Sequence, residues 1–263
     1  MMENKKKISK AVIKENKDIG GGHFVLKAEE GHVSYAAVPG QFVNVKLGAE
    51  EQTDPLLRIP LGVHKVKAGE TSLMYKVVGR GTRLLSKKKA GEELDILGPL
   101  GNGFSVMPEE HVFIVAGGHG IAPLCFLAER LAKKKKIKVF AGASGKTHIV
   151  CSDGIKDMGA ELFTATEDGS CGHKGYVTEV MEQHLEKDKK SGKNITIYAC
   201  GPRPMLKEVA RIAGKHGIAA QVSLDEYMAC GTGVCRGCAV KTKDGYKMVC
   251  QDGPVFDARE IVW

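Results

Sequence analysis

Cys230-Gly-Thr-Gly-Val-Cys235-Arg-Gly-Cys238, followed after eleven residues by Cys250, is the stretch from which the whole chain is read. Four residues separate the first two cysteines and two the next pair, the plant-type spacing for the thiolate ligands of a 2Fe-2S cluster. Four thiolates must reach two irons, so one tight loop supplies three and a returning strand the fourth. Gly231, Gly233 and Gly237 let that loop wrap closely and turn N–H groups toward the sulfides, which stabilises the reduced, more negative cluster. Metal ligands are therefore expected at Cys230, Cys235, Cys238 and Cys250. A structural zinc site is the competing reading, although zinc sites usually show two Cys-x-x-Cys pairs and this chain has one. Four buried thiols without a metal are the other.

Upstream of the loop, strand and helix alternate. Apolar runs at Val112 to Ala116, Ile137 to Ala141, Glu161 to Ala165 and Ile195 to Ala199 read as strands. Between them fall helices over Leu124 to Lys134, opened by Pro123, and Val177 to Lys187, with a third over Pro204 to Lys215. Such alternation predicts a parallel sheet covered on both faces. From Ile8 to about Gly103 the rhythm is different. Short segments at Ser9 to Glu15, His23 to Ala28, Gln41 to Leu47, Ser72 to Val78 and Glu93 to Leu97 read as strands, broken at Gly20-Gly21-Gly22, Pro39-Gly40 and Ala68-Gly69. No helix of normal length fits among them, so an antiparallel barrel is expected. The predicted chain is multidomain: a β-barrel over 1–103, an α/β parallel-sheet domain over 104–218 and a small cluster module over 219–263.

With 263 residues there is room for two cores and an appendage, and a mean hydropathy of −0.16 suits a soluble globular chain. Cys125, Cys151, Cys171 and Cys200 lie outside the loop. A cluster-bearing chain points to a reducing compartment, so they read as free thiols. No apolar signal segment follows Met-Met-Glu-Asn-Lys-Lys-Lys7, so a cytoplasmic location is expected. The longest uncharged run, Val112 to Ala128, is interrupted by Gly117, Gly118, Gly120 and Pro123 and is too short to span a membrane. The net charge of +8 sits in lysine runs at expected helix ends and turns, without interleaved aromatics. No nucleic-acid partner is expected, whereas dinucleotide phosphates or an acidic partner subunit suit the charge.

Val115-Ala-Gly-Gly-His-Gly-Ile-Ala-Pro-Leu124 is a strand, a glycine turn and a helix start. Gly117, Gly118 and Gly120 there can admit a pyrophosphate to backbone N–H groups and a positive helix end. They can equally be structural, because Pro123 replaces the third glycine of the dinucleotide fingerprint. Gly142-Ala-Ser-Gly-Lys146 also ends the next strand without the acidic residue that reads a ribose. Cys200-Gly201-Pro202, at another strand end, would line the same edge. Cys200 either faces a nicotinamide or is an ordinary buried thiol. In the N-terminal half, Arg58-Ile59-Pro60-Leu61-Gly62 and Gly79-Arg80-Gly81-Thr82 offer a guanidinium, free amides and a hydroxyl for a flavin diphosphate. Against that, Arg58 reads as a surface charge and the second segment as a link from strand to helix. Gly98-Pro-Leu-Gly-Asn-Gly-Phe104 reads as the turn between domains. The histidines show no metal spacing, and loop roles are expected for His119 and His173.

This order of modules, with Gly-Gly-x-Gly-x-Ala-Pro-Leu and Cys-Gly-Pro-x-Pro-Met, resembles the ferredoxin reductase-like flavoproteins. More narrowly, the chain is similar to the electron-transfer subunits of NAD-dependent dihydroorotate dehydrogenase, which serve bacterial pyrimidine synthesis. The narrower likeness rests on Asp225-Glu-Tyr-Met-Ala-Cys230-Gly, on the four cysteines with Cys250-Gln-Asp-Gly-Pro-Val-Phe256, and on Glu167-Asp-Gly-Ser170 with Lys174-Gly175. The resemblance implies FAD in the barrel, NAD on the α/β domain and one 2Fe-2S cluster. It also implies an FMN-containing catalytic partner that oxidises dihydroorotate, in a heterotetramer of two plus two. Flavin contacts are implied at Arg58, Pro60, Leu61 and Gly62, at Tyr75, Lys76 and Val77, and at Gly81 and Thr82. Nicotinamide-nucleotide contacts are implied at Gly117, Gly118, Gly120, Cys200, Gly201 and Pro202. The family's Arg-Pro-x-Ser is altered here: with the prolines matched, Ile59 stands for the arginine and Gly62 for the serine, leaving Arg58 as the only guanidinium.

A nicotinamide exchanges electrons in pairs and an iron–sulfur cluster singly, so a flavin must stand between them. No residue is expected as a catalytic proton donor. A related subunit working between NAD(P)H and ferredoxin, or reducing sulfur compounds, is the competing enzyme. Some of those carry aspartate in place of the first cluster cysteine, and Cys230 speaks against them. A zinc-stabilised scaffold with an empty nucleotide fold is the reading from another class.

Overall fold

The computed structural model describes residues 6–47 and 54–263. Its N-terminal part is a closed barrel of six antiparallel strands in the order β1-β2-β5-β4-β3-β6. They are β1 (Lys7–Gly20), β2 (His23–Glu29), β3 (Phe42–Lys46), β4 (Ile59–Lys67), β5 (Glu70–Lys76) and β6 (Glu93–Leu100). Among its described residues the helices are α1 (Val33–Ala36) and α2 (Arg80–Leu85). Alternate residues point inward, and Ile13, Leu26, Val43, Val63, Leu73 and Ile96 fill the barrel. Closure comes from β1 and β3, which both pair with β6.

One barrel strand was not legible. The sequence reading treats Arg58 to Gly62 only as a binding segment, yet Ile59–Lys67 is β4. Its proline and glycine masked the pattern. Pro60 lies opposite Asn44, near the strand's start, and the inward alternation shows only from Leu61 and Val63 onward.

The second unit is a seven-stranded sheet in the order β10-β9-β8-β7-β11-β12-β15, parallel except for β15. In chain order its elements are β7 (His111–Gly117), α3 (Ile121–Leu131), β8 (Lys136–Ala143), α4 (Ser152–Asp157), β9 (Glu161–Thr166), β10 (His173–Lys174), α5 (Val177–Lys190), β11 (Ile195–Cys200), α6 (Arg203–His216) and β12 (Ala220–Ser223). After the hairpin of β13 (Ala239–Thr242) and β14 (Gly245–Met248) comes β15 (Val255–Asp257). Phe113 and Val115 of β7 pack with α5 and α6, and Val112 and Ile114 pack with α3, so both faces are covered. Helix α3 begins at Ile121 rather than at Leu124. Pro123 falls within its first turn, where a missing N–H leaves no bond unmade. The buried Asp188 of α5 accepts hydrogen bonds from Lys138 and Lys193 at 2.7 and 2.8 Å. Burial pushes its carboxyl up, but these two ammonium groups outweigh that and hold it below the usual range.

The stretch assigned to a separate module from residue 219 begins and nearly ends inside this sheet. Ser223 pairs with Cys200, and Val255 to Asp257 pair back onto β12. Sheet pairing is a long-range property, and only the part between these strands stands apart. The barrel and the sheet are also locked together. Phe126 of α3 is buried in the barrel's cluster, and His64 of β4 bonds through Nδ1 to the Ala122 carbonyl at 3.0 Å. No helix among the described residues is long and apolar enough to cross a membrane.

Candidate functional site

The cysteine loop is shaped by left-handed residues: Gly231 at φ +71°, Arg236 at φ 58° and Gly233 at φ +88°. A Cβ on Gly231 would come within 2.1 Å of Asn44 Nδ2, and one on Gly233 within 1.7 Å of Gln251 Oε1. The left-handed conformation demands glycine at both positions, and the side chains of Asn44 and Gln251 fill the space beside them. The turned backbone aims amides at sulfur. Thr232 and Cys235 N–H point at Cys230 Sγ (3.4 and 3.5 Å), Gly237 N–H at Cys235 Sγ (3.5 Å), Gly233 N–H at Cys250 Sγ (3.1 Å) and Cys250 N–H at Cys238 Sγ (3.4 Å).

Backbone amides tie neighbouring cysteines together, Cys235 to the Cys230 sulfur and Cys250 to the Cys238 sulfur, while the Cys230 thiol also acts on Cys250. Among the described residues, no three of these four cysteines gather with their sulfurs within 4.8 Å of one another. One tetrahedral zinc would need all four sulfurs about 3.8 Å apart, whereas a wider set suits two bridged irons. Burial opposes ionisation of Cys230, but the amides of Cys235 and Thr232 outweigh it and bring that thiol down to about 6. Cys250 is pushed up to about 12, first by burial and then by the Cys238 thiol, against the Gly233 amide. Cys238 and Cys250 are buried and Cys235 is exposed, so the site has one face toward solvent.

Contacts that the sequence did not announce seat this loop on the barrel. Asn44 of β3 donates to the Cys230 carbonyl at 3.3 Å. Asn102 donates to the carbonyls of Gln251 and Asp252, and its own amide to that of Gly253. The Gly98 to Phe104 turn therefore grips the segment carrying Cys250.

At the C-terminal edge of the sheet, β7 and β11 are neighbours, and their turns touch. A Cβ on Gly117 would lie 2.5 Å from Pro202 Cδ, and one on Gly120 2.3 Å from the Cys200 carbonyl oxygen. These two glycines let the turns pack together. Gly118, at φ +53° with nothing within 4 Å of its Cβ position, faces open space. Cys200 is buried. Burial, with the Asp225 carboxylate beside it, pushes its thiol up to about 12, so it is a neutral thiol and no nucleophile. His119 lies 3.6 Å from Asp225, linking the glycine turn to the approach to the cluster loop. Beyond β8, the Asp168 carboxylate sits against Gly145, where a Cβ would meet Oδ2 at 2.7 Å. The edge thus gains an acidic residue, delivered by the loop after β9. Inspection of the strand end at Gly142 to Lys146 could not find it.

The segments expected to hold a flavin come together as well. Gly81 packs on Ile59, Arg80 pairs with Asp54 at 3.0 Å, and a Cβ on Gly62 would lie 3.8 Å from Pro123 Cδ. Strand β5 borders the turn at Gly118 to Gly120. Leu56 and Val78, 77% and 75% exposed, flank the two segments with apolar surface. Three of these side chains already have partners within the chain. Arg58 does not present a free guanidinium, because Asp95 lies 2.8 Å from it and the Asp95 carbonyl accepts from it at 3.0 Å. The Thr82 hydroxyl accepts from the amides of Val78 and Gly79 and so starts α2. Tyr75 is buried, stacked on Phe24 and bonded to Asn16 at 2.9 Å, so its ring belongs to the barrel wall.

Residues 225–262 match the family described as the iron-sulfur cluster binding domain of dihydroorotate dehydrogenase B, and residues 114–211 match the oxidoreductase NAD-binding domain. The dihydroorotate dehydrogenase B (NAD(+)) electron transfer subunit of Desulforamulus reducens is 40% identical over 248 residues, covering 91% of this chain and 92% of the relative. That of Fusobacterium nucleatum is 35% identical over 268 residues, covering 97% and 98%. Among solved structures, the NADH-dependent reduced ferredoxin-NADP oxidoreductase, described for flavin-based electron bifurcation, superposes with a TM-score of 0.85. It is 34% identical and covers 96% of this chain and 90% of its own. A ferredoxin NADP+ reductase from Neisseria gonorrhoeae, at 16% identity, TM-score 0.65 and coverage of 80% and 92%, shares the fold. Barrel, parallel sheet, cysteine loop and full-length relatives agree: the chain belongs to the electron-transfer subunits of dihydroorotate dehydrogenase B, a family of oxidoreductases.

Proposed function

We propose that this chain relays electrons between a dihydroorotate-oxidising partner and NAD, with one 2Fe-2S cluster on Cys230, Cys235, Cys238 and Cys250 and one FAD in the barrel's groove. The observation that carries the reading is a loop, seated against the barrel, whose backbone amides point at the sulfurs of all four cysteines. A flavin supplies what the other two groups lack, since it exchanges electrons singly with a cluster and in pairs with a nicotinamide.

The protein's own part is placement. The segments Pro60 to Gly62 and Lys76 to Thr82 meet where Gly81 packs on Ile59, and the exposed Leu56 and Val78 beside them offer apolar cover for a ring system. Gly118 leaves room for a pyrophosphate beside the first turn of α3. Gly117 and Gly120 hold the Cys200-Gly201-Pro202 turn against it, and the neutral Cys200 thiol adds no charge. The carboxylate of Asp168 stays ionised, held below the usual range by the Ser170 hydroxyl and amide, and it disfavours a 2′-phosphate. This supports NAD over NADP.

The partner is an FMN-bearing catalytic subunit, met in a heterotetramer of two plus two in the cytoplasm. The exposed side of the loop, with Cys235, Val234 and Tyr227, is the face offered to it. Purifying the chain alone and with the partner tests the proposal. Dye reduction by NADH with the single chain, and dihydroorotate oxidation by NAD only with the pair, is the expected result. Dihydroorotate oxidation by the single chain, or an isolated chain lacking iron and flavin, overturns it.

A further inference from the structure

Four side chains outside the redox sites converge where the barrel meets the parallel sheet. His64 comes from β4, Met74 from β5, Cys125 from the middle of α3 and Cys151 from the residue before α4. A ring nitrogen of His64 and the sulfurs of Cys125 and Cys151 all lie within 4.8 Å of one another. The Met74 thioether is 3.5 Å from Cys151 Sγ. His64 and Cys125 are buried, with 6% and 1% exposure.

The imidazole is set up as a ligand. Its Nδ1–H donates to the Ala122 carbonyl at 3.0 Å, which fixes the tautomer and leaves the Nε2 lone pair to bind. That is how metal-bound histidines are ordinarily oriented. Burial keeps the ring neutral, bringing it down to about 4. Cys151 is held in a left-handed backbone conformation, φ 65°, which a residue other than glycine rarely adopts.

We infer that His64, Cys125 and Cys151, with the Met74 thioether beside them, form a second metal site for a thiophilic closed-shell ion, Zn(II) or Cu(I), distinct from the cluster. Two sulfurs, one imidazole and a nearby thioether make a soft donor set. Binding breaks two S–H bonds and forms two bonds from sulfur to metal, and both protons pass to solvent. Because its ligands come from β4 on one side and from α3 and α4 on the other, the ion staples barrel to sheet beneath the groove where their edges meet.

The test uses the holoprotein with its iron and flavin in place. One sample is equilibrated anaerobically with Zn(II), another with Cu(I) held by a weak ligand, and each is desalted and analysed for metal. Retention of about one equivalent of either ion is expected, and the ion retained identifies the class. Cys151→Ser, with iron and flavin content unchanged, is expected to lose that equivalent, and His64→Gln to bind at least about ten-fold more weakly. Titration of the unaltered chain with Cd(II), followed by the ultraviolet thiolate-to-metal band, needs no variant and should saturate at one equivalent. Retention of neither ion, equal retention by Cys151→Ser, no Cd(II) band, or a Cys125–Cys151 disulfide in the metal-treated protein overturns the inference.

Discussion

The loop at Cys230–Cys238 and the turn at Gly117–Gly120 are both glycine-rich, and their glycines do different things. In the loop, Gly231 and Gly233 take left-handed conformations that turn amides onto sulfur. In the turn, Gly117 and Gly120 have no such conformation, and their missing Cβ atoms let two sheet-end turns touch. A glycine count cannot separate these uses, because both look alike in sequence. The difference predicts that the loop answers to ligand chemistry and the turn to packing and acidity.

The largest effect is expected in the loop. Cys238→Ser would remove one of the four ligands of the proposed cluster, so iron retained after purification should fall about ten-fold or more while flavin is kept. Cys200→Ser alters an equally buried thiol at the edge of the sheet and should keep its iron. Elemental analysis of both variants checks this, and equal iron loss would erase the contrast.

Acid should strike beside the turn. His64, bonded to Ala122 just after the glycines, is brought down to about 4 by burial, against an ordinary value of 6.5. The unfolded chain therefore takes the proton first. Stability from this group is complete above pH 6.5 and is lost as pH falls toward 4, by about 3 kcal/mol in all. Urea unfolding of the unaltered chain and of His64→Gln, from pH 6.5 to 4.5, should show the two curves converging as the pH drops. The cluster loop is the same in both, so its own acid sensitivity cancels.

Legibility followed distance along the chain. The cysteine spacing is local, and so was the alternation of strand and helix. What anchors the loop was invisible, because Asn44 is 186 residues from Cys230. Membership of β12 and β15 in the sheet depends on partners in β11 and in each other, which no short window displays. The flavin segments were recognisable as segments, but Arg58 has its charge met by Asp95 from a strand 37 residues on, which only the closed barrel brings near. Asp168 was missed for a related reason: it enters the nucleotide edge from the loop beyond the next strand.

Packing at the turn is measured by Gly120→Ala. Its methyl would fall 2.3 Å from a backbone carbonyl oxygen that cannot rotate away, so the β7 and β11 turns must separate. A loss of about 2 kcal/mol in unfolding free energy is expected, with weaker NADH binding as its consequence. Iron content should not change.

The smallest effect on stability is expected two residues away, at Gly118→Ala. Nothing lies within 4 Å of the added methyl, so only the φ of +53° opposes it, at about 1 kcal/mol. Part of that is offset because alanine restricts the unfolded chain, by about 0.4 to 1 kcal/mol. Unfolding should therefore barely respond. If Gly118 is the opening through which a pyrophosphate meets the backbone, the same methyl stands in its way, and KM for NADH in dye reduction should rise several-fold while kcat holds. A stability loss as large as that of Gly120→Ala would mean that the turn is packing throughout. An unchanged KM would put the phosphates elsewhere on the edge, with Gly118 serving the fold alone.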